Sequence, residues 1–138
     1  MPYFYHYTDD EGAEKIIRTG KIMASLKTMA SDDAAYGNGV YLTKLKPPTS
    51  SKTEIAQNNW LNTTPQIVNK TKNYFVVEIP DSDVKDFTAA GRNIFLFDNR
   101  KDLSLLTFPW WLKDFDSGKT IASYKYTMAS YGPAEEYL

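Results

Sequence analysis

The chain predicts an α+β fold, and three features of its 138 residues predict it. Two helix-like stretches fall in the first half, one at about 8–19, marked by a start signal, and one at about 52–61. Runs rich in Val, Ile, Tyr, Leu and Phe follow at 73–79, 93–97 and 103–108. Strands therefore cluster after the helices instead of alternating with them, which separates α+β from a doubly wound α/β sheet.

Taken in order, residues 3–7 (Tyr-Phe-Tyr-His-Tyr) are β-prone and open the chain as a strand. Thr8 reads as a helix N-cap, with Glu11 completing a capping box and Asp9 and Asp10 suiting the positive helix start. Ala13, Ile16 and Ile17 supply the apolar face, and Gly20 stops the helix. Residues 24–38 are small and polar, a loop, before a short strand over 39–43. Lys46-Pro47-Pro48-Thr49-Ser50-Ser51 is irregular. The second helix, 52–61, turns Ile55, Ala56 and Trp60 inward. A strand over 73–79 ends at Pro80, and strands over 93–97 and 103–108 flank a hairpin turn at Asp98-Asn99-Arg100-Lys101. A last strand covers 120–128. No repeat or linker divides the chain, so residues 1–138 read as one domain.

Composition excludes several classes of function. With 42% hydrophobic and 24% charged residues, the balance is that of a soluble globular chain. A net charge of −1 creates no field for nucleic-acid phosphate or anionic lipid, which argues against a general nucleic-acid binder. The absence of cysteine removes thiolate nucleophiles, disulfides and thiolate zinc sites, and the single histidine leaves a zinc ion dependent on carboxylates for nearly all its ligands. The start lacks the basic and apolar regions of a signal peptide, and no apolar run nears the roughly 20 residues of a membrane helix, so no membrane role is expected. The 10 Tyr and 3 Trp are surplus rings for a core or for a pocket that holds flat ligands.

Two short phrases carry the chemistry. The first is Tyr5-His6-Tyr7-Thr8; the second is Tyr36-Gly37-Asn38-Gly39-Val40-Tyr41-Leu42-Thr43. Alone, each has a plain structural account: a lone His among aromatics sits in many cores, and a Tyr on a Val-Tyr-Leu strand packs inward. Gly37-Asn38-Gly39 is not a dinucleotide fingerprint, since the third glycine is missing and a strand follows instead of a helix. The acidic pair Asp9-Asp10 suits a helix start, Asp32-Asp33 a solvated loop, and Trp110-Trp111 core or sheet-edge packing.

In order and at this spacing, the two phrases resemble the ADP-ribosyltransferase superfamily, in its His-Tyr-[Glu/Asp/Gln] branch, and most of all the toxin-type group with a His-Tyr-Asp signature, HYD1. His6-Tyr7-Thr8, Gly12, Ile16-Ile17, Thr19-Gly20 and Ile22 follow the pattern of its first strand and helix. Tyr36 to Thr43 is similar to the Phe-Gly-Lys-Gly-Ile-Tyr-Phe-Ala phrase of poly(ADP-ribose) polymerases, and Pro47-Pro48 is typical of the toxin group. The resemblance spans residues 3–48 and, loosely, 74–106. It implies a split antiparallel sheet and NAD as co-substrate, with no metal. It implies that His6 hydrogen-bonds the adenosine ribose, that the Tyr7 backbone holds the nicotinamide carboxamide, and that Tyr41 packs on the nicotinamide ring. Thr8 and Gly39 belong to the same cofactor-binding phrases, and Tyr36 and Trp60 are further stacking candidates.

The third signature position departs from the polymerase pattern. Laid on the phrase of its fifth strand, Arg92-Asn93-Ile94-Phe95-Leu96-Phe97-Asp98 puts Asn93 in the place of Glu. Asn accepts a hydrogen bond but cannot act as a base. Asp98 and Asp102 are the neighbouring carboxylates, and all three stay open as the catalytic group. The implied reaction is mono-ADP-ribosyl transfer or NAD hydrolysis with release of nicotinamide. The acceptor is open among protein, nucleic acid, small molecule and water. The chain is expected in the cytoplasm, or in a target cell if it is part of a toxin with an immunity protein. The alternative is a catalytically silent domain that binds NAD, ADP-ribose or a protein partner. Chance matches on an unrelated small fold would leave no cleft beside His6.

Overall fold

The computed structural model describes residues 2–24, 38–97 and 101–124. Strand β1 (Tyr3–Thr8) leads into α1 (Asp10–Thr19), followed by β2 (Lys21–Ile22), β3 (Val40–Leu42), α2 (Lys52–Trp60) and α3 (Pro65–Val68). Then come β4 (Asn73–Glu78), β5 (Val84–Asp86), β6 (Phe95–Phe97), β7 (Leu103–Ser104), β8 (Trp110–Asp114) and β9 (Thr120–Ser123). Every strand pair is antiparallel, so the class is α+β.

The strands form a four-stranded sheet in the order β1-β4-β8-β9, a three-stranded sheet β3-β6-β5 and a two-stranded ribbon β2-β7. A single bridge, Tyr5 to Thr43, joins β1 to β3. There the Tyr5 N–H donates to the Thr43 carbonyl at 2.8 Å, and the Thr43 N–H donates back to the Tyr5 carbonyl at 2.9 Å. Two residues along the same register, Tyr7 and Tyr41 are not bridged, and the strands part.

Period-two alternation sorts β1 into two faces. Phe4 enters the main core with Val40, Leu42, Phe75, Phe95 and Trp110. Tyr5 and Tyr7 point to the opposite face, where Tyr74, Val76 and Ile55 of α2 form a second cluster. Central strand β4 is buried on both faces over Asn73–Val77, as its near-continuous apolar run requires.

The first helix starts one residue later than its sequence suggests. Thr8 is still paired with Asn73 in β1, so the cap falls to Asp9, whose carboxylate accepts from the Gly12 N–H at 2.8 Å. Gly12 is needed for a steric reason: a Cβ there would run into the Thr8 hydroxyl oxygen. Gly20 ends the helix in the left-handed conformation, its N–H bonded to the Ile16 carbonyl. On α2, Ser51 and Glu54 form a reciprocal capping box that the sequence reading overlooked.

The second half differs most from expectation. The 103–108 strand stops at Ser104 because β7 pairs with β2, which is only two residues long. The strands on either side of the expected turn at 98–101 are not partners: β6 lies between β3 and β5, and β7 belongs to another sheet. Residues 98–100 themselves lie outside the described residues, as do 25–37 and the part of the 120–128 strand beyond 124. The expected pair of helices is joined by a third, α3, started by Pro65 at its first turn. Trp110 and Trp111 form part of β8, with Trp110 wholly buried, so that dipeptide is sheet and core.

Candidate active site

Where β1 and β3 part, a cleft of about 280 Å³ opens, at the small end of the range for ligand sites. His6, Tyr7, Thr8 and Asp9 line it from β1 and the start of α1; Tyr41, Leu42 and Ile94 line it from the three-stranded side; Asn59, Trp60 and Lys70 close it from the helices. His6, Tyr7, Thr8, Tyr41 and Trp60, named from sequence, thus share one cavity.

The sheet geometry explains how. In an antiparallel ladder a residue's N–H and C=O point to one side, and successive residues alternate sides. Tyr5 uses both groups toward β3, so Phe4, His6 and Thr8 bond to β4. Tyr7 then presents its N–H and C=O on the side of β3, where no strand meets them among the described residues. Its side chain is held away from that edge: the phenol donates to the Leu45 carbonyl at 2.7 Å and packs near Tyr74. Burial, with Tyr74 and Tyr5 adding, pushes its pKa well up, so it stays a neutral anchor.

The His6 ring is oriented by Nδ1, which lies 3.1 Å from the Tyr41 carbonyl oxygen. A carbonyl only accepts, so Nδ1 carries the proton and Nε2 is left as an acceptor. Desolvation by burial outweighs that bond and holds the imidazole pKa below its ordinary value, keeping the ring neutral near pH 7. Besides tying His6 to β3, this contact fixes the tautomer. Gly39 makes the approach of β3 possible. Its φ of +149° suits glycine, and a Cβ there would lie 2.9 Å from the Phe97 carbonyl oxygen.

The helical wall is held by a polar knot that joins Asn58 and Asn59 of α2 to Thr43, Lys44, Arg92 and Asn93. Asn58 accepts from the Asn93 N–H at 2.8 Å and donates to the Asn93 carbonyl at 3.0 Å. The Asn93 side-chain oxygen accepts from the Lys44 N–H at 2.7 Å and the Thr43 hydroxyl at 3.0 Å. Arg92 donates to the Asn58 and Asn59 carbonyls at 2.8 and 2.9 Å, a cation on the last turn of α2. Together these bonds pin the end of α2, and so Asn59 and Trp60, against β3.

The three candidates for the third signature position fare differently. The Asn93 oxygen is committed to the knot, and Asn93 is not among the lining residues. Asp102 accepts from the Ala24 N–H at 2.7 Å and pairs with Lys21 at 3.3 Å, away from the cleft lining. Asp98 and Tyr36 lie outside the described residues. Sequence reading missed Asp9, Asn59 and Lys70 as lining residues. Asp9 was legible as the neighbour of Thr8 in the first phrase; Asn59 and Lys70 carry no local signal and reach the cleft through tertiary packing.

No curated protein and no solved structure gives a significant match. The family model described as HYD1 signature containing ADP-ribosyltransferase, Tox-ART-HYD1, matches residues 4–103, which holds both phrases, the cleft and the knot. The chain belongs to the HYD1-signature ADP-ribosyltransferases.

Proposed function

We propose that the chain is an active NAD-dependent ADP-ribosyltransferase, carrying out mono-ADP-ribosyl transfer or NAD hydrolysis in an ADP-ribosyltransferase-like fold over residues 1–138. The observation that supports this most is the meeting of the neutral His6 ring, the open peptide edge of Tyr7 and Tyr41 in one cleft. Nicotinamide carries a carboxamide with one donor and one acceptor edge, which complements the N–H and C=O of Tyr7, met by no strand among the described residues. The Tyr41 ring offers a face to the pyridinium, a cation until it leaves. The His6 Nε2 lone pair accepts from a ribose hydroxyl, and Thr8 and Gly39 complete the phrases that shape the site.

In the reaction the bond between the ribose anomeric carbon and the nicotinamide nitrogen breaks, and its electron pair leaves with neutral nicotinamide. Positive charge develops on the ribose, an acceptor atom bonds to the same carbon, and the acceptor loses its proton. A carboxylate near the 2′-hydroxyl stabilises that charge. The structural commitments of Asn93 and Asp102 support Asp98 as this group. No step asks for a metal. As a toxin-type domain, the protein would act inside a target cell and be restrained by an immunity protein in its producer. The acceptor would be identified by mass spectrometry of target-cell extract incubated with labelled NAD.

The test is nicotinamide release from NAD by the wild type, compared with His6→Ala and Tyr41→Ala. Absence of both NAD binding heat and nicotinamide release in the wild type sinks the proposal. The second reading, a silent module, is favoured by one observation, the amide of Asn93 at the position of Glu with its oxygen already engaged. Binding of NAD or ADP-ribose without turnover would establish it.

A further inference from the structure

We infer that Lys70 is the phosphate-binding cation of the cleft and sets its preference for a dinucleotide. The inference rests on the NAD reading above and goes beyond it in assigning the anionic half of the substrate. Among the described lining residues, Lys70 is the one cation and Asp9 the one carboxylate. Lys21, Lys52, Lys72 and Arg18 each have an acidic partner within 4.0 Å, whereas Lys70 has none among the described residues. Its ammonium stands 5.6 Å from the centre of the Trp60 ring, a contact that orients the charge without neutralising it.

The backbone under Lys70 is held firmly. It sits in the 3-10 turn Asn69–Thr71, where buried Thr71 donates to the Val68 carbonyl at 2.7 Å. Just beyond the turn, buried Asn73 donates to the Asp10 carboxylate at 2.8 Å, tying it to α1. Trp60 is fixed in turn by the knot around Asn58. Lys70, partly buried on such a base, keeps its position when a ligand arrives, so little order has to be gained on binding.

Charge also selects which part of the substrate it meets. The nicotinamide ring of NAD is cationic before cleavage and is repelled by an ammonium, so Lys70 faces the other charged portion, the pyrophosphate. A compact ammonium suits a phosphate oxygen as a point charge.

The experiment compares binding of ADP-ribose, which carries the pyrophosphate, and of free nicotinamide, which does not. Calorimetry is run on the full chain as wild type, Lys70→Gln and Lys70→Arg, with melting temperature as a folding check. Lys70→Gln should weaken ADP-ribose by about tenfold, the worth of one charge-assisted hydrogen bond, and leave nicotinamide unchanged. Lys70→Arg should recover most of the loss. In turnover the same change should appear in KM for NAD and not in kcat. Unaltered ADP-ribose affinity in Lys70→Gln, or an equal loss for nicotinamide, overturns the inference while leaving the NAD reading intact. A wild type that binds neither ligand overturns both.

Discussion

The two walls of the cleft are built on different principles. The β1/β3 wall is a product of the backbone: a single bridge at Tyr5–Thr43 brings two strands together, and their divergence beyond it exposes the Tyr7 peptide and lets His6 reach Tyr41. The helical wall, Asn59 to Lys70, is placed by side chains, through Asn58, Asn93, Thr43 and Arg92, which lie up to 50 positions apart in sequence. The first wall is thus hard to move without breaking a sheet, whereas the second hangs on a few amides. We expect it to govern how tightly substrate is held, and the first to govern whether chemistry occurs.

Breaking the sheet wall gives the largest expected effect. His6→Ala and Tyr41→Ala should each lower nicotinamide release by about 100-fold, since misplacement of the reacting group on that scale follows loss of a positioning contact. Tyr41→Phe should keep most activity, because the ring face is what is used. Breaking the knot comes next: Asn58→Ala removes bonds to Asn93 on both sides and should cost about 2–3 kcal/mol of stability in a denaturant titration, with a raised KM. Gly39→Ala strains a φ of +149° and crowds the Phe97 carbonyl, and should cost about 1–3 kcal/mol.

A pH titration sharpens the comparison further. The folded imidazole has a pKa below that of the unfolded chain, so the unfolded state takes up the proton first as pH falls. The His6 contribution to stability is therefore complete above about pH 6.5 and declines below it until the folded ring titrates. NAD affinity should follow the same direction, and His6→Ala should flatten both profiles. The smallest effect is expected at Lys72, whose pairing with Asp10 is exposed: Lys72→Met should leave turnover unchanged and the melting temperature within error.

Legibility followed the same division. The first strand, both main helices and the β4 run were readable because local pattern decides them, and Gly20 ended α1 as its position implied. The cap moved from Thr8 to Asp9 because tertiary pairing with Asn73 kept Thr8 in the strand, a competition no local rule resolves. β2, β5 and β7 are two or three residues long and exist only through their partners, so they carry no periodicity of their own. At the site, His6 and Tyr41 were found because they lie in contiguous phrases. Asn58 and Lys70 were not, because their positions are consequences of packing. Asn93 was noticed for the residue it replaced and proved to hold β3 to α2.

The open peptide of Tyr7 also makes the cleft self-reporting. Flanked by sheet bonds at His6 and Thr8, that one amide has no internal acceptor among the described residues and should trade its hydrogen for deuterium rapidly in the empty protein. A bound carboxamide would cap it and slow the exchange. Occupancy is then readable at a single backbone site by isotope labelling, in a variant that turns nothing over as well as in one that does.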